Sequence, residues 1–150
     1  MSVRNRSLTT TRPRILLVDD NASGLAARKT VLEELGLKVF VSTSGADALD
    51  QFACGPFDLV VTDYRMPRMD GLELITRLRA LSPTLPIVLL SGFAETLGLA
   101  ETATGADVVL QKSSNEISHL VRAVNRLLRR QAAKKPAASQ PRPKAKRKSV

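Results

Sequence analysis

The chain has 150 residues, of which 43% are hydrophobic and 25% charged, as is typical of one globular domain, and it is too short for two domains of ordinary size. Lys and Arg outnumber Asp and Glu by 23 to 14. The excess lies at the ends, since residues 1–14 and 131–150 contain no acid and residues 15–130 carry a net charge of −2. The overall basic charge therefore does not indicate a basic binding surface on the folded body.

The cysteine and histidine content limits the chemistry of the chain. Cys54 is the single cysteine and His119 the single histidine, which excludes an intrachain disulfide and a Cys/His metal cluster. We therefore expect a reducing, cytoplasmic setting. No apolar run approaches the roughly 18 residues of a membrane span, so no membrane span is predicted. The acid-free start resembles either a transit peptide or a solvated arm, and we predict a flexible basic arm over residues 1–13.

Five short runs rich in Val, Ile and Leu alternate with longer stretches of helical period. This alternation is typical of βαβ units around a parallel sheet. The runs show little polar alternation, as expected for strands that helices cover on both faces. The predicted strands are Ile15–Val18, Val39–Val41, Leu59–Val61, Ile87–Leu90 and Val108–Leu110.

Helical periodicity predicts five helices between and after these strands. The third begins after Asp70-Gly71, which we interpret as a turn and cap, and ends before Pro83. The second, fourth and fifth cover about 45–53, 95–103 and 114–130. The first ends at Gly36 and presents an apolar face made of Leu25, Val31, Leu32 and Leu35.

The fifth predicted helix carries a basic stripe, and a basic segment follows it. The stripe is either a solvated face or a docking face for a partner, and it comprises His119, Arg122, Arg126, Arg129 and Arg130. Residues 131–150 contain no large apolar residue before Val150, so we predict a disordered Pro/Ala/Lys-rich tail after a folded body over 14–130. The tail is suited to nonspecific nucleic-acid binding, to contact with anionic lipid or to a role as a tether.

Polar residues follow the apolar runs at the edge of the predicted sheet where ligands of parallel α/β folds collect. Asp19 and Asp20 follow the first strand, Asp63 the third, Ser91 the fourth and Lys112 the fifth. In the common strand order 2-1-3-4-5 the three carboxylates converge, and their repulsion calls for a hard divalent cation such as Mg²⁺. Carboxylate, Mg²⁺, lysine and hydroxyl are together the groups needed for phosphoryl transfer onto an aspartate.

Four stretches in this order carry a family resemblance: ILLVDDN (15–21), LVVTDYRMPRMDGLEL (59–74), IVLLSG (87–92) and VVLQK (108–112). Together they resemble the receiver domain of bacterial two-component response regulators. The resemblance implies a flavodoxin-like (βα)5 fold, a doubly wound parallel sheet with strand order 2-1-3-4-5. Two positions depart from the family pattern, because Val109 stands where an aromatic residue is common and Ser113 where proline is usual.

The resemblance also implies roles for individual residues. Asp63 would be the phosphoacceptor, and Asp20 would bind Mg²⁺ directly, together with Asp63 and the backbone carbonyl of Arg65. Asp19 would hold a metal-bound water or stand just behind the metal. In the same scheme Ser91 contacts the phosphoryl group and Lys112 pairs with the phosphoaspartate.

By this resemblance the chain is expected to be a stand-alone receiver. It would accept a phosphoryl group from a sensor histidine kinase or phosphotransfer protein, and it would contact a downstream protein through its fourth helix, fifth strand and fifth helix (the α4–β5–α5 face). It would not be a conventional enzyme, since it would catalyse only its own phosphorylation and dephosphorylation. Two alternatives are a nucleic-acid-associated protein whose body gates the tail and a small Mg²⁺-dependent phosphatase or flavodoxin-like enzyme; the latter lacks a separate general acid/base and a flavin site.

Overall fold

The computed structural model describes residues 11–92 and 101–134, and within these ranges strands and helices alternate as predicted. The strands are β1 Arg14–Val18, β2 Lys38–Ser42, β3 Leu59–Asp63, β4 Ile87–Ser91 and β5 Val108–Gln111. The helices are α1 Ala22–Glu34, α2 Gly45–Ala53, α3 Gly71–Leu81, α4 Glu101–Thr104 and α5 Glu116–Lys134.

The five strands form one parallel sheet in the order β2-β1-β3-β4-β5, which confirms the predicted topology. β1 and β3 pair in register from Ile15 opposite Leu59 to Val18 opposite Thr62. The residues that follow Val18 therefore lie beside Asp63 at the carboxyl edge of the sheet. This register is what brings together carboxylates that are more than forty residues apart in the sequence.

Helices cover both faces of the sheet, as the apolar composition of the strands predicts. Successive residues of β1 alternate between two core clusters: Ile15 and Leu17 face α1 and α5, and Leu16 and Val18 face α2 and α3. These four side chains are at most 2% exposed. The central strand is thus fixed from both sides, and with it the position of the residues at its end.

Three helices that follow loops at the carboxyl edge of the sheet begin with a side-chain cap. The side chains of Asn21, Ser44 and Asp70 accept hydrogen bonds from the backbone N–H three residues on, at the starts of α1, α2 and α3. Asp70 is therefore a helix cap, as predicted from the sequence.

The structure corrects several element details. Each strand extends by one or two residues beyond its predicted ends, so Asp63 and Ser91 are the last residues of β3 and β4 and do not follow them. The predicted apolar face of α1 was partly wrong, because Leu35 is 41% exposed and Arg28, only 6% exposed, takes a place on that face between Leu25 and Leu32.

The ends of the chain and part of the fourth helix are not covered. The arm over 1–10, most of the predicted fourth helix and the tail from 135 lie outside the described residues. α5 continues through Lys134, beyond the predicted end near residue 130, and its basic stripe is exposed as expected. Among residues 11–92 and 101–134, no helix combines the length and the apolar character that a membrane crossing needs.

Candidate functional site: an acidic pocket at the carboxyl edge of the sheet

Three carboxylates meet where β1 and β3 end. Oxygen atoms of Asp19, Asp20 and Asp63 all lie within 4.8 Å of one another, with Asp19 and Asp63 buried and Asp20 exposed. The sequence prediction that these three residues converge is therefore confirmed as geometry. Oxygen ligands from several carboxylates, open to solvent on one side, suit a hard divalent cation that retains part of its water shell.

Lys112 reaches Asp63 from the far side of the pocket. Its Nζ lies 2.5 Å from Asp63 Oδ1, although β4 separates β5 from β3. The two strands are about 10 Å apart at ordinary strand spacing, so the side chains of Lys112 and Asp63 together bridge the end of β4. The backbone N–H of Lys112 donates to the Ser91 carbonyl over 2.7 Å, which fixes the start of this side chain at the same edge.

Opposing influences act on the buried Asp63 carboxyl. Burial raises its pKa, the hydrogen bond from Lys112 lowers it, and the negative charge of Asp19 raises it again. The net result is a pKa above the ordinary value for aspartate. Without a bound cation, the charged form of Asp63 is thus destabilised relative to the neutral form, even though the Lys112 ammonium contacts it.

Ser91 and Arg65 border the pocket in different ways. Ser91 is fully buried, and its hydroxyl donates to the Gly92 carbonyl over 3.0 Å; it follows Leu90, the residue opposite Asp63 in the register of β3 and β4. Arg65 is exposed and lines an open cleft of about 430 Å³ next to the carboxylates, together with Asp20, Tyr64, Met66, Pro67 and Asp70. The role of its carbonyl as a metal ligand stays a prediction.

A glycine permits the backbone to close tightly behind Asp63. A Cβ added to Gly71 would lie 2.3 Å from the Asp63 carbonyl oxygen, which is well inside contact distance. The Gly71 N–H donates to the Tyr64 carbonyl over 2.8 Å, so α3 begins directly against the end of β3. Gly71 thus has a steric role in addition to its place in the predicted turn.

Two residues that sequence reasoning missed complete the charge arrangement. Arg28 donates from Nη1 to Asp19 Oδ2 over 2.8 Å and from Nε to Glu116 Oε2 over 2.5 Å. Burial alone lowers the pKa of the Arg28 guanidinium, but the hydrogen bonds to Glu116 and Asp19 outweigh burial and raise the pKa above its ordinary value. The sequence contained one signal for Arg28: it lies three residues after Leu25, so a charged residue falls on the apolar face of the helix.

A five-stranded parallel sheet with polar residues gathered at its carboxyl edge defines the class of doubly wound α/β domains, which bind ligands at that edge. Comparison with known proteins identifies the family. Residues 15–125 match the family model described as response regulator receiver domain. The chain belongs to this family, which confirms the resemblance noted in the sequence.

A curated relative and two solved structures illustrate the likeness. The transcriptional regulatory protein PrrA of Mycobacterium tuberculosis is 35% identical over 124 residues, covering 82% of this chain and 53% of PrrA. A response regulator receiver domain protein from Clostridium thermocellum has a TM-score of 0.74 at 26% identity, covering 81% of this chain and 98% of that one. The response regulator TrrA of Thermotoga maritima, solved in complex with Mg(2+)-BeF, has a TM-score of 0.70 at 31% identity, covering 77% and 98%.

Length separates this chain from its curated relatives. It spans 53% of the length of PrrA and a smaller share of other curated proteins that it matches, whereas it covers 98% of each of the two solved chains. The likeness therefore concerns the receiver unit of larger regulatory proteins.

Proposed function

We propose that this protein acts as a response regulator receiver that accepts a phosphoryl group on Asp63 with the help of Mg²⁺. The observation that carries the proposal is the contact of Lys112 with Asp63 inside a cluster of three carboxylates whose oxygens lie within 4.8 Å. These groups would supply a nucleophile, a set of metal ligands and a cation for the transferred group at one edge of the sheet.

The donor set fits Mg²⁺ by its chemistry. Asp20 and Asp63, together with the carbonyl of Arg65, would hold the ion, and Asp19 would hold a water on it. Mg²⁺ would supply positive charge that offsets the carboxylates and the oxygens of the incoming phosphoryl group. The solved complex of the similar protein TrrA with Mg(2+)-BeF supports this assignment.

The chain's own residues have distinct parts in the proposed transfer. A carboxylate oxygen of Asp63 attacks phosphorus and forms a new O–P bond, while the bond from phosphorus to the donor breaks and the donor leaves with its electron pair. The Lys112 ammonium, already within 2.5 Å of Asp63, would neutralise charge on the transferred oxygens, and the Ser91 hydroxyl would donate a hydrogen bond to one of them.

The proposed donor is a sensor histidine kinase or a phosphotransfer protein, and the proposed output is a protein contact on the α4–β5–α5 face. The exposed basic side of α5 supports a contact on this face. We also propose a cytoplasmic location, in line with the single cysteine, and a folded body flanked by a basic arm and tail.

The test is the intact mass of the full chain after incubation with acetyl phosphate. Wild type should gain one phosphoryl group in the presence of Mg²⁺ and none when the metal is chelated. Asp63→Asn should gain none, whereas Asp50→Asn, which removes an exposed aspartate on α2, should react like wild type. A Mg²⁺-independent adduct, or an adduct on Asp63→Asn, would overturn the proposal.

A further inference from the structure

Arg28 is a buried cation in direct contact with the acidic pocket, and it lies between two carboxylates. Its side chain is 8% exposed, and those of Asp19 and Glu116 are 2% and 13% exposed. Asp19 is held at both oxygens, because the Asn21 N–H donates to Oδ1 over 3.0 Å and Arg28 donates to Oδ2 over 2.8 Å. Any cation that draws on the charge of Asp19 must therefore compete with this guanidinium.

The two carboxylates that share Arg28 come from distant parts of the chain. Asp19 follows β1, whereas Glu116 is the first residue of α5 and donates its own N–H to the Ser113 carbonyl. Ser113 directly follows Lys112, which contacts Asp63. A path of ion pairs and one short turn thus runs from Asp63 through Lys112, Glu116 and Arg28 to Asp19, whose carboxylate lies beside that of Asp63.

The packing of α1 leaves room for this guanidinium. A Cβ added to Gly24 would lie 3.1 Å from Arg28 Nη1 and 3.4 Å from Asp19 Oδ2. Glycine within a helix costs about 1 kcal/mol relative to alanine, so its presence in the first turn of α1 is consistent with a requirement for space beside the ion pair.

We propose that Arg28 is a positioning residue that competes with the divalent cation for Asp19 and that Glu116 sets the strength of this competition. The inference rests on the proposed Mg²⁺ site. Glu116 takes part of the guanidinium's charge and hydrogen-bonding capacity, which leaves Asp19 more available to the metal. By thermodynamic linkage, a partner that draws the first turn of α5 away from Arg28 changes the Mg²⁺ affinity, and Mg²⁺ changes the partner's affinity by the same factor.

The competition predicts opposite effects for the two ends of the bridge. Arg28→Gln removes a positive charge close to the pocket, so the full chain should bind Mg²⁺ about fivefold more tightly. Glu116→Gln leaves the guanidinium to Asp19 alone and should weaken Mg²⁺ binding about threefold. In the Arg28→Gln background, Glu116→Gln should have little further effect, because the residue through which it acts is gone.

Calorimetric titration of the full chain with Mg²⁺ distinguishes this role from a purely structural one. General loosening of the pocket would weaken binding in both single variants, whereas competition strengthens it in one and weakens it in the other. Arg79→Gln, which removes a bridging arginine at the opposite edge of the sheet, is the matched control and should leave the affinity unchanged.

Each outcome decides a separate claim. If wild type and all variants bind Mg²⁺ equally, or if Arg28→Gln binds it more weakly, the inference is overturned and the proposed function stands. If wild type binds no Mg²⁺, the metal site of the proposed function falls and the inference falls with it. Should Arg28→Gln fail to fold, Glu116→Gln alone remains decisive, since unchanged or tighter Mg²⁺ binding by this variant contradicts the competition.

Discussion

Arg28 and Arg79 each link separate segments of the chain by hydrogen bonds, at opposite ends of the parallel strands. At the amino edge, Arg79 donates to the carbonyls of Gly105, Pro83 and Leu85 and pairs with Asp107 over 3.0 Å. Asp107 in turn accepts the backbone N–H of Ile87, at the start of β4. At the carboxyl edge, Arg28 instead pairs with two carboxylates, one of which belongs to the acidic pocket.

The difference lies in how far each cluster is neutralised. At the amino edge one arginine meets one carboxylate, and its other donors satisfy neutral carbonyls. At the carboxyl edge, oxygen atoms of the three carboxylates Asp19, Asp20 and Asp63 lie within 4.8 Å of one another. Arg28 pairs with Asp19 and with Glu116, and Lys112 pairs with Asp63. Carboxylates crowded in this way repel one another, whereas the single carboxylate at the amino edge has no such neighbour among the described residues of its cluster.

The largest expected effect is the loss of phosphorylation rate when the charged contact inside the pocket is removed. Lys112→Ala removes the ammonium that lies 2.5 Å from Asp63, and the initial rate of adduct formation from acetyl phosphate should fall about 100- to 1,000-fold. Time-resolved intact mass in saturating Mg²⁺ measures this rate. Lys134→Ala, at the exposed end of α5, is the lysine control, and an equal loss there would remove Lys112 from the reaction.

The next effect concerns the close approach of α3 to β3. Gly71→Ala sets a Cβ against the backbone oxygen of Asp63, which cannot move without shifting the strand, and should lower the free energy of unfolding by about 3 kcal/mol. Gly45→Ala is a matched control, because Gly45 also begins a helix but faces the flexible side chain of Met69. Urea denaturation of both variants measures the difference, and equal losses would contradict the steric argument.

A moderate effect is expected at the amino edge. Arg79→Gln breaks hydrogen bonds that tie the 82–87 and 105–107 segments together and should lower the free energy of unfolding by about 2 kcal/mol. The adduct rate should stay within about twofold of wild type, because this arginine lies at the edge away from the carboxylates. A large loss of rate with unchanged stability would contradict the assignment of Arg79 to stability and of the carboxyl edge to the reaction.

The smallest expected effect is a pH-dependent gain in stability. The native pKa of Asp63 is raised above that of the unfolded chain, so its favourable contribution is complete below the unfolded pKa and is lost as the pH rises through the native pKa. Asp63→Asn removes this loss and should make the metal-free protein more stable than wild type at neutral pH, with the gain shrinking as the pH falls towards about 4. Urea denaturation in chelator at several pH values tests this, and a gain that grows on acidification would have the wrong sign.

Much of the fold could be predicted from the sequence because its signals are local. Runs such as Leu59–Val61 and turns such as Asp70-Gly71 mark strands and helix starts without knowledge of their neighbours. The strand order followed from the family resemblance and the common topology. The ends of the strands do not follow from the local sequence, because the extension of β3 to Asp63 depends on its pairing with β4.

The part of the site that the sequence predicts is the part built at the ends of strands. Asp19, Asp20, Asp63 and Lys112 stand at or directly after the ends of strands, so the topology alone brings them to one edge. Arg28 and Glu116 are 88 residues apart, and neither follows a strand. Their contact depends on how α1 packs beside α5, which no local pattern in the sequence specifies.

The central claim is that Asp63 is the residue that receives the phosphoryl group. The most direct measurement is borohydride reduction of the phosphorylated full chain followed by peptide mass spectrometry, since reduction converts an aspartyl phosphate into homoserine at the modified position. We expect homoserine at residue 63 and unmodified aspartate at residues 19 and 20. Homoserine at either of those two positions, with residue 63 intact, would contradict the claim.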